Sequence, residues 1–445
     1  MAASRAGDGG GAPGAPTLVR AMGRWTLALL VVNAIVGSGI FGLPSVVSKH
    51  LGPLAPWAWV LGAVGNGVVM LCFAEVASRF TAAGGAYLYA RESLPRLVAI
   101  EVGWLAFLTR MTAAAAGANL FTVNLAGLVP AAEQETVRLG ALTLLLGTLT
   151  AVNVAGVEQG ARWSNVFTVA KLVPLAILLV AGAAFLLLRG AIAPAAPASA
   201  ASPDDWLRAG LLIAFAYGGY DGALMAMGEA RDPRRDAPFA LVAAMVALAL
   251  LYTAVQLVVD GVLVDPAATE RPLVEAASVV LGPWGGALLA AGTLVSIVGF
   301  LGANFLNSPR LGFALAENGD LPAVVGRVHP RFRTPYLAIL GFGFLVWALA
   351  VAGSFAWNAT LSAVSRLFVY GATCVALLAL RRRDPHGARL RLPGGPVLAT
   401  AGIAFCALLA SRMGRAELVV VAVVTAVAAA HWALVRRGSG AAPTT

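Results

Sequence analysis

An all-α integral membrane protein of about twelve spanning helices is the fold class this sequence predicts, and three observations predict it. Hydrophobic residues make up 59% of the 445 and charged residues only 12%, about half of the ~25% that an ordinary soluble domain carries. The apolar residues come in continuous runs, many near the ~20 needed to cross a hydrocarbon core. Those runs do not alternate with period two, which excludes the strands of a membrane barrel.

Residues 1–24 are rich in Gly, Ala and Pro and predict a disordered cytoplasmic tail. Arg20 and Arg24 before the first run mimic a secretory signal. That run is too long for a signal's apolar region and more runs follow, so it predicts an uncleaved helix. The spans predicted in the first half are Trp25–Val47, Ala55–Ser78, Leu97–Val129, Leu139–Gly156, Ser164–Leu188 and Leu207–Gly228. The second half predicts Phe239–Val262, Trp284–Asn307, Pro335–Gly353, Leu361–Leu380, Gly395–Leu409 and Leu418–Leu434. With a cytoplasmic N-terminus, most arginines fall on the inner side, among them Arg79, Arg91, Arg96, Arg327, Arg381, Arg382 and Arg383. That is the positive-inside bias, and it predicts a multi-pass protein of the cell membrane with both termini cytoplasmic. The net charge of +10 is thus mostly topology, with anionic lipid as the partner of the inner face. The arginines form no stripe, so nucleic acid is not an expected partner.

Enzymatic chemistry finds no support. The histidines (His50, His329, His386, His431) have no ligand spacing, and the serines lack a His/Asp set. Cys72, Cys374 and Cys406 sit singly in apolar runs, which indicates neither a disulfide framework nor a zinc site. No cofactor and no metal is expected.

The first span contains Val36-Gly37-Ser38-Gly39-Ile40-Phe41-Gly42 with Pro44 close behind. Each such glycine weakens a helix by about 1 kcal/mol relative to alanine. Unwound backbone at that depth is tolerated only where it is buried in protein or lines a cavity. The sixth span repeats the pattern in Phe215-Ala216-Tyr217-Gly218-Gly219-Tyr220-Asp221-Gly222. Interruptions five spans apart point to an inverted repeat of five helices plus five, with discontinuous helices one and six and the substrate between them. The repeats would be residues 25–189 and 206–381, followed by two further helices within 393–437 and a tail at 438–445. Half-helix N-termini attract an anion, and unwound carbonyls accept from an ammonium. A zwitterion such as an α-amino acid suits a cavity that offers both.

Asn33 to Phe41 (Asn-Ala-Ile-Val-Gly-Ser-Gly-Ile-Phe) resembles the first-helix signature of the amino acid–polyamine–organocation transporters. Ala82-Ala83-Gly84-Gly85-Ala86-Tyr87 resembles their second loop, and Gly103-Trp104 their third helix. Glu229 to Pro238 resembles the loop after helix six, and Pro309-Arg310 with Ala316 to Pro322 the loop after helix eight. The resemblance implies a LeuT-type fold and carriage of amino acids or related amines by alternating access, sodium-independent and proton-coupled. An obligatory exchanger is the alternative, with a channel a remoter one. By the same resemblance the substrate carboxylate meets the amides of Ser38, Gly39 and Ile40. Its amino group meets carbonyls of Ile35, Val36, Phe215, Ala216 and Tyr217, with Gly37 and Gly218 in the unwound stretches and Phe215 as an aromatic lid. The sixth-helix sequence also resembles the L-type exchangers, which usually continue Trp-Asn where this chain has Tyr220-Asp221. The likeness therefore does not extend to neutral-only selectivity.

Charges inside spans cost about 2.5–3.5 kcal/mol each on insertion scales and need a reason. Lys171 is one of two lysines in the chain. It either snorkels to the headgroups or, as the resemblance implies, replaces a sodium ion against the backbone of helices one and eight, as a coupling residue. Asp221 is open to a structural pair, a cationic substrate group or a proton. Arg110 has no partner evident in the sequence, and Arg366 either braces the bundle or gates it. Glu75 is spaced for a pair with Arg79. Ala114, Ala118 and Asn304 are pocket candidates by position.

Overall fold

The computed structural model describes residues 23–80, 85–156, 161–192, 201–221 and 232–439, and all regular structure among them is helical. Residues 1–22 of the expected N-terminal tail, Ala82-Ala83-Gly84 and Glu229-Ala230-Arg231 lie outside the described residues, and Arg24, placed in that tail by the sequence, already begins a helix. The helices of the first half are α1 (Arg24–Ile35), α2 (Gly39–Leu51), α3 (Ala55–Ala77), α4 (Gly85–Ser93), α5 (Arg96–Ala126), α6 (Glu135–Val154), α7 (Ala161–Arg189) and α8 (Pro203–Ala216). The second half contributes α9 (Pro233–Val262), α10 (Pro272–Leu281), α11 (Pro283–Glu317), α12 (Tyr336–Ala352), α13 (Phe355–Arg383), α14 (Gly395–Ala410) and α15 (Arg415–Ser439). Among the described residues eight helical segments are long and apolar enough to cross a membrane, and α1, α10, α12 and α14 are shorter apolar helices.

Local chemistry sets the ends. At the start of α8 the Ser202 hydroxyl accepts the Asp205 N–H at 3.2 Å, and the Asp205 carboxylate accepts the Ser202 N–H at 3.0 Å. This reciprocal cap, with Pro203 in the first turn, satisfies N–H groups that a helix start leaves unpaired. Gly282, at φ +77°, turns the chain between α10 and α11.

Two short helices, α4 and α10, are absent from the hydropathy reading because each is shorter than the window that detects a span. The helix α11 also outruns its apolar run. Pro309-Arg310, expected in a loop, lies inside it, and the helix ends only at Glu317. A proline there forfeits one backbone hydrogen bond, while the apolar packing on both sides of it continues.

The centre of the bundle is α5, whose residues from Met111 to Leu120 are all buried. Its alanines at 113–116 and 118 and Gly117 let α11 and α13 pack closely on it. Ser362 on α13 donates to the Thr109 carbonyl at 2.9 Å.

Glu75 does not pair with Arg79. It is wholly buried and takes a two-pronged contact from Arg381, Nε and Nη2 each at 2.6 Å, and the Leu392 N–H at 2.9 Å. Arg79 instead donates to the Asp384 carbonyl at 2.8 Å. A planar guanidinium arriving from α13 fits both carboxylate oxygens at once, which an i,i+4 neighbour on the same helix does not. Removing one partner of a buried pair strands the other charge at about 3–5 kcal/mol. Glu75→Ala is therefore expected to lower the unfolding midpoint of the detergent-solubilised protein. An unchanged midpoint contradicts this account of α3, α13 and the following loop.

At the other end of α4, Tyr87 donates to the Asp320 carboxylate, Arg96 reaches the same carboxylate at 2.6 Å, and Trp104 Nε1 donates to the Asp320 carbonyl at 2.9 Å. Burial and the Asp320 carboxylate hold the Tyr87 hydroxyl well above its ordinary pKa. The loop after α11 is thereby fastened to α4 and α5.

Candidate functional site

Two backbone breaks meet near the middle of the bundle. The helix α1 ends at Ile35, Val36 is extended (φ −67°, ψ 94°), and α2 begins at Gly39. Similarly α8 ends at Ala216, residues 217–219 are non-helical, and helix resumes at Tyr220 and Asp221. Each break is fitted to the other by a glycine. A Cβ on Gly39 would stand 2.9 Å from the Ala216 Cα, and a Cβ on Gly219 would stand 2.9 Å from the Ala34 carbonyl oxygen. Gly219 also has φ +106°, which L side chains avoid. These two positions explain why the sequence is glycine-rich here: the backbones touch.

Between the breaks lies a cavity of about 510 Å³, within the size range of small-molecule sites. Ile35, Val36, Gly37, Ser38, Gly39, Phe215, Ala216, Gly218, Asp221 and Lys171 all line it. Ile40 and Tyr217 do not. Ile40 is fully buried in the core. Tyr217 turns away to donate to the Trp59 carbonyl at 3.0 Å, its ring tilted against Tyr252. Among the positional candidates Asn304 lines the cavity, whereas Ala114 and Ala118 face other packing and Ala113 takes their place. Ser296, Phe300 and Asn307 of α11, and Tyr370 of α13, complete the wall without having been singled out in the sequence. For Ser296 and Asn307 the signal was a polar residue within the apolar run of α11; Phe300 and Tyr370 carried none.

Lys171 does not snorkel. Its ammonium donates to the Asn33 carbonyl at 2.7 Å and the Val36 carbonyl at 2.9 Å, where α1 runs out of intrahelical donors. The described contacts lie on Asn33 of α1 and on Val36 just past its end, so the expected contact with the backbone of the eighth span is not among them. The Val36 carbonyl, expected to take the substrate's amino group, also accepts from Lys171, which leaves its second lone pair.

The same holds at the other break. Arg366 Nη1 donates to the Phe215 carbonyl at 3.0 Å, with its guanidinium carbon 5.8 Å from the centre of the Phe215 ring. Arg366 thus braces the break of α8 from inside the bundle. Phe215 itself is buried, its ring edge-on to Phe355 at 6.4 Å.

Arg110 gains the partner that the sequence did not reveal. Its Nη2 lies 3.0 Å from Asp221 Oδ2, joining α5 to the resumed helix after the second break. Both side chains are about one-quarter exposed, 25% and 27%, so the pair sits at the cavity wall and not in bulk solvent. Asp221 is therefore engaged by a cation of the protein itself.

Buried oxygens on the cavity residues without a hydrogen-bond partner among the described residues include Asn33 Oδ1, Ser38 Oγ and Ser296 Oγ. The amides that open α2 at Ser38, Gly39 and Ile40 have no carbonyl one turn earlier within that helix. Buried polar groups are normally paired, and a helix start such as that of α2 can take an anionic group.

A family model for amino acid permeases matches residues 22–435. The methylthioribose transporter of Bacillus subtilis (strain 168) is 25% identical over 425 residues, 88% of this chain and 87% of that protein. The branched-chain amino acid permease BcaP of the same organism is 26% identical over 438 residues, 91% and 90% of the two chains. Its serine/threonine exchanger SteT is 28% identical over 319 residues, covering 70% and 72%.

Proposed function

The chain belongs to the amino acid permease family, and from that premise we propose that it carries α-amino acids or related amines across the cell membrane by alternating access, without sodium. It is a membrane transport protein and not an enzyme. The proposed organisation is LeuT-type. Residues 25–189 and 206–381 form two inverted five-helix repeats, α14 and α15 follow within 393–437, and both termini face the cytoplasm. The basic inner face meets anionic lipid.

The observation that carries the proposal is the seat of Lys171, an ammonium placed on two carbonyls at the break of α1, beside a cavity closed by the break of α8. A fixed cation at that point does what a bound sodium ion would otherwise do, neutralising carbonyl dipoles where the helix is open. The substrate carboxylate then falls to the amides of Ser38, Gly39 and Ile40. A lysine that gives up and regains its proton there would couple uptake to protons. The pair Arg110–Asp221, which ties α5 to the second half of the broken helix, is proposed to close the cavity on one side during the cycle.

In proteoliposomes, uptake of a labelled amino acid mixture is expected to be equal in sodium and in choline medium. An absolute requirement for sodium would overturn the proposal. Obligatory exchange is the alternative, favoured by the likeness to an exchanger. Uptake that strictly requires preloaded amino acid would select it, and uptake into empty vesicles driven by a pH gradient would select proton symport.

A further inference from the structure

Four charged side chains line the cavity, and three of them are cations: Arg110, Lys171 and Arg366 against Asp221. Arg110 is matched by Asp221. Lys171 is spent on two carbonyls. Arg366 has no carboxylate among the described residues. Its recorded hydrogen bond is the one from Nη1 to the Phe215 carbonyl, and it is only 8% exposed. A guanidinium offers five donors in a fixed fork, so most of its donors are left for something else. A nearly buried charge without a counter-charge is costly, and Arg366 lines the cavity, from which a counter-charge can arrive.

The place for this guanidinium is built. A Cβ at Gly218 would collide with the Arg366 guanidinium, so the glycine in the second break is what lets Arg366 reach across it. The contact it makes there falls on the Phe215 carbonyl, one of the acceptors a substrate ammonium would use.

We propose that Arg366 is a specificity-determining residue and that the preferred substrate is an amino acid with a second, anionic group on its side chain. This rests on the reading of the cavity as the substrate site. The α-carboxylate takes the amides at the start of α2, the ammonium takes the Phe215 carbonyl, and the guanidinium released from that carbonyl pairs with the side-chain carboxylate. A neutral amino acid makes the first two contacts but leaves the displaced guanidinium unmatched. A cationic side chain meets Arg366 directly and finds Asp221 already engaged by Arg110. The fork geometry suits a carboxylate held by two parallel bonds, which a lysine at 366 would not reproduce.

The test is a binding titration of the purified full-length protein, read by thermal shift, with L-glutamate, L-aspartate, L-glutamine and L-lysine. Glutamine is the control, matching glutamate in shape without the charge. A charge-assisted hydrogen bond is worth enough to predict a preference for an acidic ligand over glutamine of roughly 10- to 100-fold, with lysine weakest. Arg366→Gln is expected to collapse that ratio to about one, and Arg366→Lys to recover part of it. A purely structural role for Arg366 would weaken all ligands together and leave the ratio unchanged. Glutamine or lysine binding the unaltered protein as tightly as both acidic ligands would overturn the proposal while leaving amino acid transport standing. Binding of no amino acid at all would overturn the transport reading and this proposal with it. The ratio in the unaltered protein decides even if Arg366→Gln fails to fold.

Discussion

Lys171→Ala is expected to lower amino acid uptake per folded protein at least about a hundredfold. The side chain gives two hydrogen bonds from a charged donor, to the Asn33 and Val36 carbonyls. Bonds of that kind contribute about 1.5–3 kcal/mol each. Both acceptors sit where α1 ends, so no backbone N–H can replace the ammonium. Losing the two together removes ~3–6 kcal/mol from the arrangement that holds the break open, which is a factor of a hundred or more. Lys171→Gln keeps a neutral donor and should retain more uptake than alanine. Initial rates in proteoliposomes across a range of pH check this. Full uptake with an unchanged pH profile in both variants would remove Lys171 from the mechanism.

The second large effect is expected at Arg110 and Asp221. Neutralising either one leaves its partner charged at a cavity wall that is only about a quarter exposed. The cost lies between that of a surface pair, about 0–1 kcal/mol, and that of a buried one, about 3–5 kcal/mol. Arg110→Gln and Asp221→Asn should each cut uptake about tenfold or more. The double variant should be better than the product of the two single losses, with a coupling of ~1–3 kcal/mol in a double-mutant cycle. Strictly additive losses would mean that the contact between α5 and the second broken helix plays no part in the cycle.

The breaks were legible in the sequence because two glycine clusters in mid-span fall five spans apart, where a single cluster would equally suit close helix packing. Lys171 was legible for a similar reason, since a charge at that depth must have a partner. What the partner is was less accessible. The bond from Arg110 to Asp221 spans 111 positions, and that from Arg381 to Glu75 spans 306. No local spacing encodes either, and the i,i+4 rule gave Glu75 the wrong arginine.

That protein cations donate to the Val36 and Phe215 carbonyls was also out of reach. Backbone oxygens carry no residue signature, so only the fold reveals that Lys171 and Arg366 already sit on them. Ile40 and Tyr217 were expected to contribute backbone groups, and where their side chains go was not legible, because a broken helix loses the 3.6-residue phase that assigns faces. Resetting that phase at residues 217–219 turns Tyr217 toward Trp59 and Tyr252.

The central claim is that the cavity between the two breaks is where the substrate binds, and cysteine protection at Asn304 tests it most directly. Asn304 lines the cavity, and the three native cysteines are buried, so a small thiol reagent should find the introduced thiol against a quiet background. For Asn304→Cys in proteoliposomes, the reagent is expected to abolish uptake, and a saturating mixture of L-amino acids is expected to slow the labelling several-fold. Labelling at the same rate with and without amino acids, with uptake surviving in the fully labelled protein, would contradict the claim.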